Sequence, residues 1–96
     1  MSKSAYVIEF SATAEQDWLR FSEDEQEELT LWLRKLSEHP VPGERNGVIR
    51  VRGLNADGRP LYYSQTEHFG LYHSINEQRV AILTITARPN LDIPQV

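Results

Sequence analysis

The sequence predicts an α+β fold in the order β-α-α-β-β-β-β, an antiparallel sheet with a helical hairpin packed on one face. Three observations predict it. The stretch Val80–Arg88, VAILTITAR, is a clean strand, rich in β-branched residues and Leu and free of Gly and Pro. Two helix-start signals lie between Thr13 and Glu25, each followed by apolar residues at helical spacing. From Val48 onward, short alternating segments are separated by turn chemistry.

The elements follow in order. Ala5–Phe10 alternates as a half-buried strand. Thr13 and Gln16 have T-x-x-Q capping spacing, and Ala14, Trp18 and Phe21 then form one apolar stripe. Ser22 to Glu25 is a second capping box whose acids suit the positive end of a helix dipole. Leu29, Trp32, Leu33 and Leu36 continue that helix inward. It should stop near His39, because Pro40 disfavours helical backbone before it. Pro42, Gly43, Asn46 and Gly47 mark a loop, and Val48–Leu54 alternates. Asn55-Ala56-Asp57-Gly58 is a hairpin turn. Leu61–Ser64 and Phe69–Ile75 are the next strands, Asn76–Gln78 a turn, and Asn90–Val96 an extended tail. In the last strand, parity assigns Ala81, Leu83, Ile85 and Ala87 to the helix side. Val80, Ile82, Thr84, Thr86 and Arg88 then fall on the open side.

A chain of 96 residues implies one domain with one modest core. There is no cysteine, so thiol chemistry, disulfides and thiolate metal sites are excluded. The N-terminus lacks a signal-peptide apolar run, and nothing approaches a membrane span; a cytoplasmic protein without membrane contact is expected. The net charge of −4 is unevenly spread. Residues 1–40 carry four Lys/Arg against nine Asp/Glu, whereas residues 41–96 carry six Arg against five acids. The acidity counts against broad nucleic-acid coating, because phosphate neutralisation dominates that affinity. It leaves room for a local Arg cluster from Arg45, Arg50, Arg52 and Arg59, whose planar forks suit phosphate and carboxylate.

The segments YVIEFSATAEQDWLRFSEDEQEELTLWLRKLSEHP, VRGL and FGLYHSINEQRVAILTITAR, in that order, resemble the RelE/ParE superfamily of toxins from bacterial toxin–antitoxin pairs. The resemblance spans nearly the whole chain and rests on joint order and spacing. It implies a small toxin neutralised by a cognate antitoxin that wraps across it. It also implies either metal-free, ribosome-dependent mRNA cleavage, as in RelE-type members, or inhibition of DNA gyrase, as in ParE-type members. No metal or cofactor is implied. Carried over residue by residue, the match thins at the site. The Arg of the family's "yR.lY" falls on Gly70 and the closing Tyr of that motif on His73. The Lys positions of the preceding strand fall on Leu61 and Tyr63, and the tail has no Tyr. The Arg ending the final strand is kept as Arg88.

Metal-free RNA cleavage needs a base, a cation for the phosphorane and an acid. Arg88 and Arg52 are the candidate cations, Tyr72 a candidate base-stacking or phosphate-binding group, and His73 the candidate acid or base. Arg50, Arg59 and Tyr62 are candidates for nucleic-acid or target binding. Plainer readings stand beside these. His73 shares parity with Phe69, Leu71 and Ile75 and suits a half-buried structural residue. Arg88 suits a strand-end partner of Asp92, and Arg50 and Arg52 suit a solvated strand face. His39 suits a helix cap and His68 a turn; a Glu67–His68 pair is disfavoured, because adjacent strand residues point apart. Trp18 and Trp32 suit packing, and one of Tyr62 and Tyr63 must lie on the open face. The binding class, a ParE-like inhibitor of gyrase, is favoured over the RelE-like nuclease; a toxin fold without toxicity is the third reading. Convergence of Arg50, Arg52 and Arg88 on one face would favour the nuclease.

Overall fold

A computed structural model describes residues 5–43, 47–56 and 58–88. Strand β1 (Val7–Phe10) leads into helices α1 (Ala12–Leu19) and α2 (Glu23–Glu38). Strands β2 (Ile49–Ala56), β3 (Arg59–Gln65), β4 (Gly70–Asn76) and β5 (Arg79–Thr86) follow. The sheet order is β1-β5-β4-β3-β2. The last four strands form the expected antiparallel meander. β1 adds to it in parallel against β5, with Val7 opposite Arg79 and Phe10 opposite Ile82, so the sheet is mixed. β1 takes that direction from where the helices and the meander bring β5, which no local pattern in Val7–Phe10 encodes.

Each helix begins with a cap. At α2 both halves of the capping box form: the Glu25 N–H donates to Ser22 Oγ at 3.2 Å, and the Ser22 N–H donates to Glu25 Oε1 at 2.8 Å. At α1 the cap is Ser11, not Thr13; its Oγ accepts from the Ala14 N–H at 3.0 Å. Ser11 wins because its extended backbone, at the end of β1, leaves its side chain over the first turn. The helix accordingly ends at Leu19, and Phe21 lies beyond it, edge-on to Phe69 with centroids 5.0 Å apart. Gln26 closes the hairpin by donating to Trp18 O at 2.8 Å. α2 ends at Glu38 with His39 as its C-cap, as the following Pro40 requires.

Leu29 and Leu36 of α2 meet Leu71, Val80, Ile82 and Ile85 of the sheet in one core, with Trp18, Trp32 and Leu33 packed at its margin. Burying side chains of this size contributes about 1.5–3 kcal/mol each. β5 departs from simple alternation. Tyr72 pairs with Thr84 and His73 with Ile82, which leaves Leu83 as an extra residue. Val80 and Ile82 therefore face the helices, the reverse of the parity reading, and beyond Leu83 the core residue is Ile85 while Thr84 and Thr86 face away.

The irregularity sits where β1 stops. β1 pairs with β5 only as far as Ile82, so the next backbone groups of β5 lack a strand partner on that side. Helix α1 supplies them. The Ser11 hydroxyl donates to Leu83 O at 2.8 Å, and Asp17 Oδ2 accepts the Ile85 N–H at 3.1 Å. Asp17 is buried and its other oxygen is paired with Arg20.

Removing that acceptor leaves a buried N–H unsatisfied. Asp17→Ala should lower the unfolding free energy by about 1–3 kcal/mol in urea titration, whereas the exposed Gln16→Ala should change it by less than about 0.5 kcal/mol. Equal effects of the two would mean that the Ile85 amide does not depend on Asp17.

Candidate functional site

The sheet face turned away from the helices is set by the pairing register. Tyr63 lies opposite Tyr72, which lies opposite Thr84; Gln65 lies opposite Gly70, which lies opposite Thr86. The Tyr63 and Tyr72 rings meet at a 5.0 Å centroid distance with a 57° tilt. Tyr63 is 2 % exposed, and its hydroxyl donates to Gln65 Oε1 at 3.3 Å. Gly70 is the floor beneath it. A Cβ at position 70 would stand 2.5 Å from the Tyr63 hydroxyl oxygen and 2.7 Å from Thr86 Oγ1. No side chain fits there while Tyr63 and Thr86 keep their places. Tyr63 and Gly70, the positions where the resemblance would place a Lys and an Arg, are thus one packing unit.

His73 lies on the opposite, helix side with no exposed surface. Its Nε2 donates to Pro40 O at 2.8 Å, its ring stacks on Tyr62 at 5.4 Å, and Nδ1 finds no partner among the described residues. Burial holds its pKa below the ordinary imidazole value, with the Pro40 carbonyl opposing that shift. His73 is therefore buried on the side opposite Tyr72, where its neutral form is favoured. Tyr62, by the same register, packs against the core from the helix side, and Tyr63 is the tyrosine of the open side.

The arginines do not converge. Arg50 lies opposite Tyr62, which places it on the helix side of an edge strand, and it is exposed. Arg52 is exposed beyond buried Val51, within the irregular stretch of β2 between Arg50 and Asn55. Arg59 opens β3, and Arg88 follows the end of β5, which lies level with the end of β3 across Gly70. Six residues of strand put Arg59 and Arg88 about 20 Å apart along the sheet. β2 and β5 are three strands apart, about 14 Å across the sheet before any offset. Arg88 is exposed and makes no ion pair among the described residues. Its expected partner Asp92, the tail Asn90–Val96, and Arg45 and Asp57 lie outside the described residues. Of the catalytic candidates, the open face carries Tyr72, with Arg88 just beyond the end of β5; the register also places Arg79 and Glu9 on this face, 3.6 Å apart, and no imidazole stands beside Tyr72 among the described residues.

One cluster was missed from the sequence. Glu28 of α2 accepts from the Thr66 hydroxyl at 2.6 Å through Oε2 and pairs with His68 Nδ1 at 2.8 Å through Oε1. Thr66 Oγ1 in turn accepts the N–H groups of His68 and Phe69 at 3.2 and 3.0 Å. Glu28 thus clasps the β3–β4 turn to α2. Thr66 and then His68 hold the Glu28 carboxyl below its ordinary range, and Glu28 raises His68. An open depression of about 310 Å³ beside the clasp is lined by Asp24, Glu25, Glu28, His68 and Phe69. The sequence reading weighed His68 against its neighbour Glu67; a partner forty positions away carries no local signal.

No family model matches the chain, and no curated protein matches it. Solved structures do. The chain is similar to a chain of an archaeal RelE–RelB complex from Pyrococcus horikoshii, with 20 % identity over 88 % of this chain and 96 % of that one, at a TM-score of 0.68. It is similar to a chain of the toxin–antitoxin complex RelBE2 from Mycobacterium tuberculosis, with 16 % identity over 93 % and 98 %, at 0.70. It is also similar to the isolated E. coli RelE toxin, with 17 % identity over 92 % and 89 %, at 0.64.

Two measurements follow from the site. Gly70→Ala should destabilise the fold by about 1–3 kcal/mol, and the cost should shrink in a Tyr63→Phe background; an unchanged cost would clear the Tyr63 hydroxyl as the obstacle. The histidines should titrate on opposite sides of the ordinary imidazole value by NMR, His68 above and His73 below. The raised His68 adds stability that is full below the ordinary value and is lost as pH rises through its own pKa. The depressed His73 acts in the other sense, removing stability as pH falls below the ordinary value. Glu28→Gln should return His68 toward the ordinary value and leave His73 in place.

Proposed function

We propose that this chain, which has the RelE toxin fold, is the toxin of a type II toxin–antitoxin pair, held inactive by a cognate antitoxin. It acts by binding an essential target, in the manner of a ParE-like inhibitor of DNA gyrase. The toxin reading is supported by likeness over most of the chain to the isolated E. coli RelE toxin and to chains of a RelE–RelB complex and of the toxin–antitoxin complex RelBE2. The choice of binding over cleavage rests on one observation: the centre of the open face is closed by Tyr63 over Gly70, with no room for a cation at position 70. A phosphorane needs charge placed beside it, and Arg50, Arg59 and Arg88 point to separate parts of the molecule. Binding needs only a complementary surface, for which Tyr72, Arg88 and Arg52 are the candidate contacts.

The second reading is a RelE-like, ribosome-dependent mRNA endoribonuclease. It is favoured by the similar structures, among them the isolated E. coli RelE toxin, and by the exposed Arg88 just beyond the end of β5, which makes no ion pair among the described residues. In that reading Tyr72 would stack a base and Arg88 would hold the phosphate.

Induced expression in bacteria without the partner separates the readings. Growth arrest with filamentation, DNA-damage signalling and intact mRNA is the expected result. Rapid arrest of translation with cleaved mRNA would transfer the assignment to the nuclease. Normal growth would leave a toxin fold without toxicity. In whichever assay responds, Arg88→Ala should weaken the effect about tenfold or more; unchanged potency would remove Arg88 from the contact surface.

A further inference from the structure

Arg88 lies beyond the last ladder pair of β5, and no strand hydrogen bond to its main chain is found among the described residues. Among those residues, Thr86 holds it. The Thr86 hydroxyl donates to Arg88 O at 2.8 Å, and Gly70 O stands 3.3 Å away as a second acceptor. That hydroxyl therefore sits at the junction between the last residue of β5, the first residue of β4 and the exposed arginine. It can sit there because position 70 has no side chain: a Cβ would stand 2.7 Å from Thr86 Oγ1. The same Cβ would press on the Tyr63 hydroxyl, whose ring leans on Tyr72. Gly70 thus serves two contacts, the closed floor under Tyr63 and the free path of the Thr86 hydroxyl.

We propose that Thr86, given clearance by Gly70, is a positioning residue for Arg88. The absence of a side chain at position 70 and the fixed approach of Arg88 are then one device. An exposed Arg loses conformational freedom when it engages a target, and a main chain already held reduces that cost. The inference rests on Arg88 contacting the target, as proposed above.

The test uses the full-length chain with Thr86→Val, which keeps the shape and removes the hydroxyl, and Thr86→Ser, which restores it. Backbone ¹⁵N relaxation reads Arg88 directly. In the wild type and Thr86→Ser its amide should show an order parameter near the rigid value of about 0.85, and in Thr86→Val a fall toward about 0.6 or below. An unchanged Arg88 amide in Thr86→Val overturns the proposal, whether or not the chain is toxic. The induced-expression assay then reads the consequence. At matched soluble levels Thr86→Val should be about fivefold less potent than the wild type, Thr86→Ser should recover potency, and Thr86→Val should add nothing in an Arg88→Ala background. A loss of the same size in that background would assign Thr86 to general stability and overturn the positioning role. A non-toxic wild type would defeat the proposed function while the relaxation measurement still decided the role of Thr86.

Discussion

The rest of the structure depends on how β5 is completed along the edge that β1 leaves uncovered. A central strand must have its N–H and C=O groups satisfied on both sides, because an unpaired buried group costs about as much as a typical contact contributes. β1 is four residues long and covers only Arg79 to Ile82. From Leu83 onward the partner is side-chain chemistry from α1: the Ser11 hydroxyl on Leu83 O and the Asp17 carboxylate on Ile85 N–H. Ser11 also caps α1, so one residue ends a strand, starts a helix and accommodates the irregular residue of β5. That irregularity exchanges the faces of β5 partway along, sending Val80, Ile82 and Ile85 inward and leaving Thr84 and Thr86 outward.

This exchange shapes the open face. Because Thr86 points away from the helices, its hydroxyl reaches Gly70 and Arg88 rather than the core. Because Gly70 has no Cβ, Tyr63 can lie over it, and Tyr63 then packs on Tyr72. A face that could have gathered cations is filled by two rings and a row of hydroxyls. Its charge stands at the margins: Arg88 beyond the end of β5, and Arg79 at the start of β5, 3.6 Å from Glu9 of β1. Stabilising a developing phosphorane needs preorganised charge, and the groups at the centre of this face are neutral.

Much of the fold was legible because its signals are local. The Ser22–Glu25 box, the stop before Pro40, the apolar stripe through Leu29 and Leu36, and the alternation of β4 each read from a few neighbouring residues. Thr13 misled because its spacing satisfies the same rule that Ser11 satisfies, and only the end of β1 decides between them. The site was less legible. Parity correctly placed Tyr72 on the open face and His73 with the core, but it could not say which of Tyr62 and Tyr63 faced out, nor that the arginines would scatter. Glu28 and His68 meet across a helix and a turn, so neither segment announces the other.

By itself the sequence determined the order of elements, the helix boundaries at Ser22 and His39, the amphipathic faces, and the resemblance that the solved RelE structures share as a fold. These are consequences of periodicity and capping, which act over one to two turns. Tertiary structure alone decided the parallel seat of β1, the face exchange at Leu83, the cover of Tyr63 over Gly70, and the tether from Thr86 to Arg88. Each of these depends on a backbone group or an excluded volume supplied by a distant segment. Steric clearance at a single Cβ, and the partner of a single N–H, exist only once the strands and helices have met.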